Sequence, residues 1–316
     1  MSETAKLYLI HALSPLHAGV GQGIGAINLP TAREKSTGYP YFPGSSVKGV
    51  LREAAEQKLG AKEAEKEIFG AFGPSSDQAG DARGGIVFSD ASLLALPVRS
   101  LFGTFAWVTC PYVLTRLFRD AREASVGWVL AREKANHLKS LTSPATDVRI
   151  GDKSVLTSEG TLFLEELSIG VVKEDVAVKS LASDLASALW PGDDQAKKFF
   201  ESRLVVVTDT IFGFLSRTAT EIRHRVKIDP ATGTAAGSGP WTEEHLPAET
   251  LLHGVVIGRP TQYINRANGA QSKPVAVPAT VAMATLEAVI KPSGSFRFGG
   301  KSTIGMGRAQ ITLVTS

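Results

Sequence analysis

The chain has 316 residues, 43% of them hydrophobic and 21% charged, with a formal net charge of +3. That composition suits one large folded domain or two small ones, and no apolar run is long enough to cross a bilayer without interruption. The mild positive balance permits a nucleic-acid partner without requiring one, and the lone cysteine, Cys110, excludes an internal disulfide.

Residues 6–14 read as a buried strand, and the Gly- and Pro-rich stretch 15–37 reads as a long loop of the kind that is often functional. Pro40 and Pro43 hold the following segment extended, Gly44 allows a tight turn, and Ser45 or Ser46 is placed to cap a helix over 45–67. Lys48 and Arg52 are four residues apart and share one face of that helix. A helix N-terminus beside two cations can cradle a phosphate backbone, but this segment alone favours a capped surface helix with solvated cations. The glycines of 73–85 predict a loop, and 85–90 a strand. Residues 115–136, with Leu117, Val126 and Leu130, read as a helix, and so do the residues around Leu181, Leu185 and Leu189. Leu204–Val207 reads as a short strand, with Asp209 as the N-cap of a helix through Phe212 and Leu215.

Residues 221–236 read as a hairpin arm carrying Arg223, Arg225 and Lys227, with turn chemistry at Asp229–Thr234. Those cations also suit a solvated edge strand. Leu252–Ile257, Val281–Ile290 and Ala309–Val314 read as strands. The irregular alternation of helices and strands predicts an α+β fold. Cys110 reads as a small buried apolar residue rather than a nucleophile, which, with an N-terminus lacking a signal pattern, suggests a cytoplasmic protein without a membrane partner.

Gly300-Lys301-Ser302-Thr303 imitates a nucleotide-binding loop. Its first glycine is out of register, since Ser295 occupies the required position, and the segment leads into another loop and a strand rather than a helix. Glycines 299, 300, 305 and 307 suit a close backbone approach to RNA, with Lys301 and Arg308 supplying charge, or a turn packed on the core. His224, His245 and His253 lack the partners of a zinc site, so no protein-held metal is expected.

Gly-Tyr-Pro-Tyr-Phe-Pro-Gly-Ser-Ser-Val-Lys-Gly-Val-Leu-Arg at 38–52 resembles the first signature of the RAMP superfamily of CRISPR effector proteins. The segments 11–21, 29–35, 68–70, 84–91, 218–234, 241–250 and 298–308 continue the likeness in the family's order. Within the superfamily the likeness is to the backbone subunit of type III-B (Cmr) complexes. The resemblance implies a ferredoxin-like, RRM-like RNA-recognition core in a single domain over 1–316. It also implies a helical insertion at about 95–200 and a protruding β-hairpin thumb at about 209–245.

It further implies a subunit that binds guide CRISPR RNA and complementary single-stranded target RNA, stacks head to tail with further copies of itself, and joins other CRISPR subunits. The family cuts target RNA at regular intervals with an aspartate in the loop after the first strand, helped by Mg²⁺ or a similar divalent ion that is not tightly bound. His17 matches that loop's histidine, and the aspartate slot falls on Asn28. Asparagine can neither take a proton near neutral pH nor bind a hard cation well, so cleavage is expected to be weakened. Other readings are an active target-RNA endoribonuclease using His17 or Glu244, and a stand-alone guide-processing RAMP nuclease. Candidate RNA contacts are Arg33, Ser45, Ser46, Lys48, Arg52, Arg225, Lys227, Lys301 and Arg308.

Overall fold

The computed structural model describes residues 3–314 except 22, 24–25, 61–64, 75–82, 130–136, 144–146, 238, 265–273, 292–293 and 300. In chain order the first strands and helices are β1 (Thr4–Ala12), β2 (Tyr41–Phe42), α1 (Gly44–Leu59), α2 (Glu65–Phe72), β3 (Ile86–Phe88), β4 (Ala91–Arg99), β5 (Phe105–Thr109), α3 (Pro111–Glu123) and α4 (His137–Thr142). The middle holds β6 (Val148–Ile150), β7 (Thr157–Ser158), β8 (Thr161–Leu164), β9 (Leu167–Ile169), β10 (Val172–Glu174), α5 (Val176–Leu189), α6 (Asp194–Glu201), β11 (Leu204–Val206) and α7 (Asp209–Thr218). The last part holds β12 (Glu221–Arg225), β13 (Trp241–His245), β14 (Leu251–Gly258), β15 (Thr261–Ile264), β16 (Pro274–Val277), α8 (Ala279–Ile290), β17 (Ser295–Arg297) and β18 (Arg308–Val314). This is an α+β fold on one large mixed sheet.

The sheet order is β10-β6-β11-β5-β4-β14-β1-β18-β17, with β2 on β4 and β3 on β14. The interior strand β1 is apolar along most of its length because both faces are covered. Leu7 and Leu9 point into one core with α3 and α5, while Tyr8, Ile10 and Ala12 point into another with α1, α2 and α8. The alternation of side chains along a strand thus divides one segment between two cores.

Four sequence expectations change. The 45–67 helix starts at Gly44 and stops at Gly60, whose φ of +80° leaves the helical region; α2 is separate. Neither Ser45 nor Ser46 caps it. Asp90 Oδ1 accepts the Gly44 N–H at 2.9 Å, and a Cβ on Gly44 would lie 2.5 Å from Ser89 O. Asp209 lies in the first turn of α7, which Thr208 caps by accepting the Ile211 N–H at 3.2 Å. Finally, 281–290 is helix: Pro278 precedes it, and Ala279, Ala282, Met283, Leu286, Val289 and Ile290 form its buried face. That spacing has helical periodicity, which the short apolar run disguised as a strand.

Other elements match in kind. Leu181, Leu185 and Leu189 are buried on α5, and Cys110 is buried, with its thiol pushed up by burial. The helix read at 115–136 runs instead from Pro111 to Glu123 and ends before Ser125, whose φ of +54° leaves the helical region; Val126 is buried beyond it, and Leu130 lies outside the described residues. Most of the 73–85 loop also lies outside them. No described helix is long and apolar enough to cross a membrane.

Candidate active site and nucleic-acid interface

Three segments distant in sequence converge at β13. Strands β12 and β13 pair antiparallel from Glu221↔His245 to Arg225↔Trp241 and form the base of an arm. Its outer part closes on Asp229, which accepts the Ala231 N–H at 2.8 Å through its side chain, while its own N–H reaches Thr234 O at 2.9 Å. Lys227 is exposed just past β12.

The loop after β1 lies along the free edge of β13. Leu16 and Leu246 exchange backbone hydrogen bonds of 2.9 and 2.8 Å, and the Leu29 N–H reaches Thr242 O at 3.0 Å while the Glu244 N–H reaches Leu29 O at 3.0 Å. His17 Nδ1 lies 2.7 Å from Glu244 O, so the ring donates Nδ1–H and leaves Nε2 free of a proton when neutral. Asn28 Oδ1 accepts both the N–H and the hydroxyl of Thr242, at 2.8 and 3.0 Å. Two strand steps separate these attachment points, about 7 Å at the usual rise.

The glycine-rich turn packs against the same loop. The Gly307 N–H donates to Pro15 O at 3.0 Å, and the Phe298 N–H to Gly307 O at 2.7 Å. Gly307 has φ +80°, and a Cβ there would fall 2.0 Å from Phe298 O, so the turn requires glycine. A pocket of about 190 Å³ remains between His17, Phe298, Gly299, Lys301, Met306 and Gly307.

The two neighbouring glutamates have different surroundings, and both are buried. Glu244 is engaged on both oxygens by structural partners. It pairs with Arg33 Nη2 and accepts from the Thr31 N–H at 3.0 Å and the Thr220 hydroxyl at 2.9 Å. Arg33 donates from Nη1 to Gly38 O (2.8 Å) and Ser216 O (3.0 Å). Glu243 faces the other way along the strand alternation. It accepts Trp241 Nε1–H at 2.8 Å, while Lys301 Nζ stands 2.5 Å, His245 Nε2 3.3 Å and Arg225 Nε 3.5 Å from its Oε2. Burial pushes the Glu243 carboxyl up, but Lys301, Trp241 and Arg225 outweigh it and hold it below the usual carboxylate range. His245 is fully buried beside His17, with ring centroids 5.2 Å apart. Burial, then repulsion from His17, Arg223 and Lys301, lowers its imidazole to about 4. Sequence reasoning chose Glu244. The i, i+2 spacing of Trp241, Glu243 and His245 was the available sign that Glu243 faces the cations.

The remaining candidates are dispersed. Ser45 and Ser46 are exposed at the start of α1. Lys48 donates to Ile86 O at 2.8 Å, and burial followed by repulsion from Arg52 lowers its ammonium pKa. Arg52 bonds Glu56 at 3.0 Å and Pro74 O. Arg308 is exposed beside a groove between α1 and β17.

The donor set does not fit the divalent ion that the resemblance implies. The Asn28 oxygen is held by Thr242, Glu244 is engaged on both oxygens by Arg33, Thr31 and Thr220, and Glu243 faces cations. Among the described residues no group of three His, Cys, Asp or Glu side chains could hold a metal.

Residues 9–310 match the RAMP superfamily. The chain belongs to that superfamily. A RAMP relative, the CRISPR system Cmr endoribonuclease Cmr4 of Pyrococcus furiosus, is 32% identical over 313 residues, 98% of this chain and 96% of its own. The CRISPR system CMR subunit Cmr4 of Saccharolobus solfataricus is 24% identical, covering 97% of this chain and 95% of its own. The crystal structure of oligomeric Cmr4 from P. furiosus superposes with a TM-score of 0.68 at 26% identity, covering 100% of both chains. A cryo-EM structure of the type III-B Cmr-beta complex bound to cognate target RNA contains a chain with the same fold (TM-score 0.72, 20% identity, 98% and 97% covered).

Proposed function

We propose that the chain is a repeating backbone subunit of a type III-B CRISPR complex. It binds guide RNA and complementary target RNA, and its cleavage of the target is weakened by Asn28. The observation that carries this reading is the laying of the post-β1 loop along β13. The aspartate slot and His17 are thereby fixed to the base of the arm in a chain that matches a Cmr endoribonuclease over its whole length.

In this reading residues 1–316 are one domain. The β4-β14-β1-β18 part of the sheet with α1 and α8 is the ferredoxin-like core, 95–200 the insertion, and 209–245 the thumb. Ile222, Val226 and Ile228 stand exposed on the arm, as apolar side chains that wedge between bases would. Contacts to guide and target are mainly to phosphate and 2′-OH, since base pairing reads the sequence. Copies of the chain stack head to tail, a heterologous contact that extends into a filament. The oligomeric P. furiosus relative supports that arrangement.

The test is the assembled complex with radiolabelled complementary RNA and Mg²⁺. Tight binding with slow or absent cutting is expected. A complex that does not retain complementary RNA over a scrambled strand refutes the reading.

A further inference from the structure

Two aromatic side chains stand exposed where α3 meets α7. Tyr112, in the first turn of α3, is 44% exposed, and Phe214, midway along α7, is 50% exposed. Resting on the RNA reading above, we propose that the two rings form a stacking platform for unpaired nucleobases of the bound RNA.

The fold fixes both rings. The Tyr112 N–H donates to Asp209 Oδ1 at 3.0 Å, which ties the start of α3 to α7. Tyr39 meets the Tyr112 ring edge-on with centroids 6.3 Å apart, and it meets the buried Phe212 of α7 at 5.0 Å. The Arg116 guanidinium lies 5.9 Å from the Tyr112 centroid and is itself held by Glu34 and Ser92. The Tyr112 ring is thus backed by a cation and open to solvent elsewhere. A base laid on the open side completes a sandwich of cation, ring and base.

Phe214 stands beside Gly213, in the interior of α7. Glycine weakens a helix interior, and nothing in this fold demands it there. Apart from the helix backbone and its chain neighbours, a Cβ on Gly213 would meet only Arg217 Nη2, at 4.0 Å. The bare backbone lets an outside group approach the side of the Phe214 ring. Thr210, Arg217 and Thr218 are exposed around it, and Lys35 is exposed on the loop that carries Glu34. Rings set among cations and small polar side chains suit bases and phosphates better than the apolar centre of a protein interface.

The platform adjoins the site on β13. Arg33, paired with Glu244, donates to Ser216 O of α7 at 3.0 Å, and the Thr220 hydroxyl just past α7 donates to Glu244 Oε1 at 2.9 Å. The end of α7 that carries Phe214 is therefore braced on the strand that holds the site. Bases that stack on protein rings are splayed out of a duplex, so the platform takes unpaired ones. Every base offers a π face, and the platform is indifferent to sequence, as it must be where base pairing does the reading.

The test uses the complete complex, with 5-iodouridine placed at one position at a time in the target strand or in the guide. Irradiation should join the label to Tyr112 or Phe214, and the strand that does so identifies the source of the bases. Tyr112→Ala with Phe214→Ala should weaken retention of that strand on the order of 10-fold. The slope of log K against log salt should stay as it was, because no phosphate contact is lost. Tyr112→Phe with Phe214→Tyr should restore retention. Crosslinks that fall only elsewhere, or parent-like retention in the alanine pair, overturn the proposal. So does an alanine pair that shifts the oligomeric state of the chain without RNA, which would give the rings to a protein interface. A parent complex that retains no target overturns the function reading and this proposal with it.

Discussion

At the scale of single residues, Asn28 is nearly isosteric with the aspartate that the proposed reading expects in its place, and its oxygen already accepts both Thr242 hydrogen bonds. Asn28→Asp can keep those bonds and present a charged second oxygen where the amide nitrogen now sits. Single-turnover cleavage in Mg²⁺ should therefore rise by ~10²–10⁴-fold, the usual worth of a positioned proton-transfer group, with target retention little changed. An unchanged rate would show that the slot is not where this chain lacks catalytic power. His17 and Asn28 could be singled out in the sequence because both lie in a contiguous motif. The sequence did not separate the environments of Glu243 and Glu244, since their partners, Lys301 and Arg33, come from opposite ends of the chain.

His245 yields a second residue-scale prediction. Its folded-state pKa of about 4 lies below the ordinary histidine value, so the folded protein binds fewer protons there than the unfolded chain. The resulting stability is present in full above pH ~6.5 and is lost as pH falls toward 4, a difference on the order of 3 kcal/mol. Urea unfolding across this range should show that loss, and His245→Phe should remove most of its slope. A variant as acid-sensitive as the parent would place the titration elsewhere.

At the scale of elements, strands framed by neighbours on both sides were legible, as β1, β14 and β18 show. The start of α1 was less so. Its serines have capping chemistry, but the cap is Asp90, brought in by the β3–β4 turn, which no local pattern predicts. Asp90→Ala should therefore lower stability by ~1 kcal/mol, read as a fall in Tm, while Ser45→Ala with Ser46→Ala stays within ~0.5 kcal/mol. The opposite ranking would return the cap to the serines. The 281–290 segment failed for another reason. Its apolar run is short, and only burial on one face against α1 and α2 distinguishes helix from strand.

At the scale of the whole molecule, a net charge of +3 is too small to steer RNA by itself, so affinity depends on which cations are free. Lys48 and Arg52 share a helix face, as their spacing predicts, but that face is turned inward, onto Ile86 O, Glu56 and Pro74 O. Arg33 is likewise consumed by Glu244, Gly38 O and Ser216 O. Lys227 and Arg308 are exposed, one on the arm and one beside the glycine-rich turn. Each phosphate contact to a single strand contributes about −0.7 to the slope of log K against log salt. Lys227→Ala with Arg308→Ala should therefore weaken RNA binding and flatten that slope by about 0.7 per cation removed. Lys48→Ala with Arg52→Ala should instead lower Tm and leave the slope nearly as it was. Filter-binding titrations of the assembled complex from low to high salt separate the two pairs. A flattened slope in the second pair would mean that α1 turns its cations outward when RNA binds, restoring the phosphate cradle its sequence suggests.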